Sequence, residues 1–236
     1  MPPEPSPNPD PPPAGLPGPP PVPRPRSGLA VAVVLGLLAA AALWAALAGV
    51  GPARLDGAVL AEAVEDRSRG LTEAAIVLTN AGSTVSMAVL AVLVGIACWW
   101  RGRRADAVLA VGTMAGASLV FRLLKIALDR ARPPVADRLV PATDESLPSG
   151  HATMSIVVIG TVVVLAWAGR GVAGRVALVA AAALWVGGVG ATRVYLGVHW
   201  VSDVLAGWLV GAAWLALCVA AWSWWSRRAA RRPILT

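Results

Sequence analysis

Six apolar runs, each near 20 residues long, constrain this chain more than any other feature. They fall at about 28 to 50, 74 to 100, 105 to 124, 152 to 169, 175 to 192 and 200 to 225. A helix needs about 20 residues to cross hydrocarbon, and in lipid its backbone must satisfy its own hydrogen bonds. With 57% apolar and only 14% charged residues, a soluble domain of 236 residues is excluded. The expected fold is all-α, an integral membrane bundle of six helices over residues 27 to 226. A Pro-rich tail at 1 to 26 precedes it and a basic tail at 227 to 236 follows. Proline fills more than half of the first 26 positions, which predicts a disordered segment without a core. The fourth and fifth runs are the shortest and the richest in small residues (Gly187, Gly188, Gly190), so they are expected to sit centrally.

Arginines set the expected orientation, because short cytoplasmic loops retain Lys and Arg. Arg24 and Arg26, then Arg101, Arg103 and Arg104, then Arg170 and Arg175, and finally Arg227, Arg228, Arg231 and Arg232 all fall on one side of the six runs. That side is expected to be cytoplasmic, with both termini, leaving 51 to 73, 125 to 151 and 193 to 199 outside. An apolar first run of about 23 residues, with no convincing cleavage signal after it, favours a retained span over a signal peptide. Apolar residues at helical spacing in 53 to 70 predict an amphipathic helix on the outer surface. The 125 to 151 loop breaks the charge rule, carrying Lys125, Arg130, Arg132 and Arg138 on the outer side.

The net charge of +7 belongs to these topology-setting arginines and forms no basic stripe interleaved with aromatics, so nucleic-acid binding is not expected. Cys98 and Cys218 both fall inside apolar runs, and neither a disulfide framework nor a metal-ligand spacing is visible.

The polar residues converge instead on one membrane face. Lys125 ends the third run, His151 begins the fourth, Arg193 ends the fifth, and His199 with Asp203 begins the sixth. Ser149 can cap the helix that follows it, while Gly150 lets an anion approach the free backbone N–H groups. Lys125, Arg132 and Arg193 can neutralise phosphoryl oxygens. His199 and Asp203 lie four apart on one helix face. The carboxylate can thus hold one ring nitrogen and leave the other free to attack phosphorus. His151 suits proton transfer to the leaving oxygen and from the attacking water. Asp203 sits about a turn inside an apolar run, where an unpaired carboxylate is costly.

In order along the chain stand Lys-x6-Arg-Pro (Lys125, Arg132, Pro133), Pro-Ser-Gly-His (148 to 151) and Thr-Arg-x5-His-x3-Asp (Thr192, Arg193, His199, Asp203). This set resembles the type 2 phosphatidic acid phosphatase family, with Thr192 where serine is commoner. The resemblance implies a phosphohistidine on His199, His151 as general acid, phosphate binding by Lys125, Arg132, Ser149, Gly150 and Arg193, and no metal or cofactor. Arg130 resembles the extra basic residue many members carry before Arg-Pro, with Asp129 beside it as its expected partner.

The expected function is a phosphatase for a lipid phosphate or pyrophosphate, working at the extracytoplasmic face of a bacterial plasma membrane. Undecaprenyl pyrophosphate, phosphatidic acid and phosphatidylglycerol phosphate are the substrates the resemblance allows. Two alternatives stay open: phosphotransfer from the same intermediate to an acceptor alcohol, and a non-catalytic membrane protein that keeps the phosphate pocket as a scaffold.

Overall fold

A computed structural model describes residues 25–230, so the tail reading at 1 to 26 lies, apart from its last two residues, outside the described residues. Every regular element among them is helical. Helix α1 (Pro25–Ala48) leads through a single 3-10 turn (Gly51–Leu55) into the short α2 (Asp56–Glu65). There follow α3 (Arg69–Ala81), α4 (Thr84–Trp100) and α5 (Arg104–Leu128), then the loop 129–149, then α6 (Gly150–Ala166), α7 (Val172–Tyr195) and α8 (Val201–Ala230). The last turn of α8 thus carries Arg227 and Arg228 of the basic tail.

All-α architecture stands as expected, but the count of six spanning helices does not emerge directly. Among the described residues four helical stretches are long and apolar enough to cross a membrane: Ser27–Glu65, which contains all but the first two residues of α1, and Arg104–Leu128, Val172–Tyr195 and Val201–Arg228. The second expected run is a pair, α3 and α4, bent by 45°. The break comes at Gly82 and Ser83, where the Ser83 hydroxyl accepts the Ser86 N–H at 3.2 Å and starts a new helix. The fourth run, α6, has 17 residues. At 1.5 Å per residue it spans about 25 Å, short of the hydrocarbon thickness. The expected surface helix is α2, which buries Asp56 and Leu60 and exposes most of the rest.

Helix α6 is the centre of the bundle, touching α4, α5, α7 and α8. Met154, Val157 and Val158 of α6 close a core with Met87 and Ala91 of α4 and Met114, Ala117 and Phe121 of α5. Thr113 and Thr161 each bond a carbonyl one turn back in their own helix and face one another at 3.3 Å, a polar contact between α5 and α6. Helix α8 lies against α6 because Gly207 and Gly211 have no side chain. A Cβ at either would stand 2.8 Å from a backbone oxygen of α6 or its cap, that of Ser149 or of Thr153. The expectation that α7 is central fails. Only 6% of its apolar window is buried, and Gly187 faces open space. Its small residues serve its outer end, where Gly190 admits Trp208 of α8 and Gly188 admits Leu78 of α3.

The end of the bundle opposite the loop 129–149 is lined with Arg on Trp: Arg104 over Trp99 at 5.4 Å, Arg175 over Trp167 at 5.2 Å and Arg228 over Trp224 at 3.7 Å. Asp106 ties that end together, accepting from Arg103 at 2.6 Å and from the Trp222 indole at 3.0 Å. Cys98 is buried, Cys218 half-buried, and neither forms a disulfide.

Candidate active site

Four helix ends and the loop 129–149 enclose a cavity of about 580 Å³. Lys125 of α5, Arg132 of the loop, Gly150 and His151 of α6, Arg193 of α7 and His199 all line it. Local chemistry delivers each one. The α7–α8 turn needs Gly197 in the left-handed region (φ 69), and a Cβ there would collide with the Asp137 carbonyl. Past that turn, the Val198 and His199 N–H groups both donate to the Arg193 carbonyl, at 3.1 and 3.2 Å. His199 is thereby clamped beside Arg193. Gly150 packs closely under Phe121: a Cβ there would stand 3.2 Å from the ring, which would have to shift to admit it.

His199 is almost wholly buried in the cavity wall, 2% exposed. Its Nε2 lies 3.2 Å from Arg132 Nη1. A guanidinium can only donate, which assigns the Nε2 lone pair to the Arg132 side and the ring hydrogen to Nδ1. Nδ1 in turn lies 3.5 Å from Asp203 Oδ2 and 3.4 Å from Ser146 Oγ. Burial pushes the His199 imidazole down to about 4, the Asp203 carboxylate opposing and the Arg132 charge adding to the fall. The ring is neutral at pH 7, with its Nε2 lone pair held toward Arg132.

Asp203 is fully buried and fully engaged. As the third residue of α8 it accepts the N–H of Trp200, just ahead of the helix, at 2.9 Å. Ser146 donates to the same oxygen, and Arg130 pairs with the other. Arg130 therefore does not pair with Asp129, as the sequence suggested, since Asp129 caps α5 in the left-handed conformation. The Arg130 fork also reaches Asp56 at 2.8 Å. Asp56 accepts from the Ser202 N–H and hydroxyl, at 2.9 and 2.6 Å. One buried chain of groups thus runs from α2 through Arg130 to Asp203 and His199.

The cations of the cavity already hold an anion. Asp144 Oδ2 lies 3.0 Å from Lys125 Nζ, and its Oδ1 lies 2.6 Å from Arg132 Nη2. Burial would raise the Asp144 carboxyl, but the Lys125 bond and charge, with Arg132, hold it at about 2. Arg193 is fixed by Thr79, its Nη1 donating at 2.7 Å, while its buried Nε has no protein partner. The Ser149 cap expected from the sequence is not made. Its hydroxyl is buried without a partner and lies off the cavity wall, while its backbone N–H donates to Asp203 O at 3.1 Å.

The model of the PAP2 superfamily matches residues 105–227, which takes in every residue of this cavity wall except Thr84. The chain belongs to the PAP2 superfamily. Phosphatidylglycerophosphatase B of Bacillus subtilis is 31% identical over 167 residues, 66% of this chain and 77% of that protein. An undecaprenyl-diphosphatase of Sulfolobus acidocaldarius is 40% identical over 80 residues, 31% of this chain and 32% of its own length. The crystal structure of a transmembrane PAP2 type phosphatidylglycerolphosphate phosphatase from Bacillus subtilis superposes with a TM-score of 0.71 at 25% identity, over 86% of this chain and 98% of that one. Aquifex aeolicus LpxE shares the fold, with a TM-score of 0.55 at 19% identity, over 71% of this chain and 94% of that one. With its long apolar helices, this PAP2 chain is an integral membrane protein.

Sequence reasoning overlooked the groups that support the PAP2 motifs: Asp56, Ser146, Asp144 and Thr79. Asp144 carried a signal, being an acid in a loop otherwise marked by surplus cations. Asp56 and Thr79 carried none, because they come from outside the motifs and meet them only in the fold. Arg138, the remaining cation of that loop, staples it by donating to the Pro133 and Ala142 carbonyls.

Proposed function

We propose that the protein hydrolyses a lipid phosphate or diphosphate through a phosphohistidine on His199. The observation that carries this reading is the His199 ring, its Nε2 lone pair turned to the cationic cavity and its Nδ1 backed by Asp203. Nε2 attacks phosphorus and the bond to the lipid oxygen breaks, with His151 giving that oxygen a proton. A water then attacks the phosphohistidine, returns its proton to His151 and releases phosphate as the P–N bond breaks. Lys125, Arg132, Arg193 and the Gly150 N–H take up the charge on the phosphoryl oxygens, with Ser149 positioning the α6 terminus. No metal takes part in these steps.

The reading extends to topology. Six crossings are made by α1, the bent pair α3–α4, α5, the short α6, α7 and α8, over the segment 27 to 226. The two tails and the Arg–Trp end face the cytoplasm, and the cavity opens on the outer face of a bacterial plasma membrane. Relatives that act on phosphatidylglycerol phosphate and undecaprenyl diphosphate support an envelope lipid as substrate. The test is phosphate release by the detergent-purified protein from a polyprenyl diphosphate, phosphatidylglycerol phosphate and phosphatidic acid in EDTA. Release persists under chelation and drops at least about 1,000-fold in His199→Ala; release that needs added metal, or survives the substitution, contradicts the reading.

A further inference from the structure

We infer that Arg122 is the receptor for a second phosphate on the substrate, one turn deeper in the membrane than the phosphate that is cleaved. This rests on the reading of the chain as a lipid phosphatase. Arg122 belongs to the same cavity wall as Lys125, His151 and His199. It precedes Lys125 by three residues on α5, so it shares that helix face about 4.5 Å further along the axis. Around it the helix is lipid-facing, with Leu119 60%, Leu123 57% and Ile126 71% exposed. Thr84, at the start of α4, lines the cavity with it.

Among the Lys and Arg side chains of the cavity wall, Arg122 is the one with no partner among the described residues. Lys125 and Arg132 are paired with Asp144, Arg130 with Asp56 and Asp203, and Arg193 is held by Thr79. Arg122 is exposed and makes no ion pair or hydrogen bond among the described residues. An arginine inside an apolar span is costly, so an unpaired one facing a cavity marks a functional group.

The substrate's own geometry supplies the counter-ion. When the terminal phosphate is at His199, the lipid chain must leave toward hydrocarbon past Arg122 and Ile126. A second phosphate, joined to the first through a bridging oxygen or a glycerol, lies on that path. A guanidinium can fork two of its oxygens. A lipid with a single phosphate offers Arg122 nothing.

The experiment compares a polyprenyl diphosphate with the monophosphate of the same chain, in uncharged detergent, for wild type, Arg122→Gln and Arg122→Lys. The ratio of kcat/KM between the two substrates is the readout, so a loss of folded protein cancels. Arg122→Gln lowers the ratio on the order of ten-fold and Arg122→Lys less, because a point charge replaces a fork. An unchanged ratio in a working enzyme overturns the subsite alone. Equal losses on both substrates that appear only when phosphatidylglycerol is added also overturn it, by assigning Arg122 to a neighbouring lipid. A wild type that releases phosphate from neither lipid removes the phosphatase reading, and the inference falls with it.

Discussion

At the scale of single residues, the site is a set of charges arranged so that one imidazole stays neutral. Arg132 touches His199 Nε2 and Asp144 together, so the same cation guards the lone pair and holds an internal acid. Asp144 pairs with both Lys125 and Arg132, so on the proposed reading, in which these two cations bind the substrate phosphate, the substrate would have to displace it. Asp144→Asn keeps the backbone carbonyl that accepts from Arg132 Nε at 2.6 Å but removes the competing charge. Its side chain is 56% exposed, so solvent screens the pair and the gain is modest. Inhibition by orthovanadate is expected to tighten about three- to ten-fold in this variant; weaker inhibition would mean that Asp144 organises the cations instead of competing for their ligand. With its carboxyl held at about 2, Asp144 stays ionised at any working pH. The difference between variant and wild type is therefore expected to persist from about pH 5 to 8.

At the scale of elements, the helix termini carry the site and the glycines set their spacing. Helix α8 brings Asp203 against the Ser149 backbone only because Gly207 leaves room beside the Ser149 carbonyl. Gly207→Leu is expected to push α8 from α6, lower the melting temperature in detergent by several degrees and abolish turnover. The cost of such overpacking is about 1–3 kcal/mol. An unchanged melting temperature would show that the helices do not pack this closely. Much at this scale was legible in advance: apolar length marked the helices, and the termini bearing Lys125, His151 and Arg193 did gather at one cavity, with His199 arriving from the turn just ahead of α8. Hydropathy hid the α3–α4 bend because both arms are apolar enough to read as one run, and only the Gly82–Ser83 pair hints at the cap. Glycine content misplaced α7 because a small residue permits close packing without requiring it. The Asp56–Arg130–Asp203 chain was illegible because it joins positions more than 70 residues apart through burial alone.

At the scale of the molecule, opposite ends of the bundle differ in chemistry. One end holds the cavity and the acids that balance its cations; the other carries arginines stacked on tryptophans. This polarity predicts sidedness. With Cys98 and Cys218 replaced, Ala136→Cys in the cavity loop is expected to react with an impermeant maleimide on intact cells, and Ala168→Cys in the α6–α7 turn only after lysis. The reverse pattern would invert the topology. The central claim is covalent catalysis by His199, which predicts an intermediate with a P–N bond. Rapid mixing with a lipid labelled in its terminal phosphate, followed by an alkaline quench, should trap label on the protein that is stable to base, lost in acid and absent from His199→Ala. Steady phosphate release with no trapped label in wild type, or label that remains in His199→Ala, would contradict it.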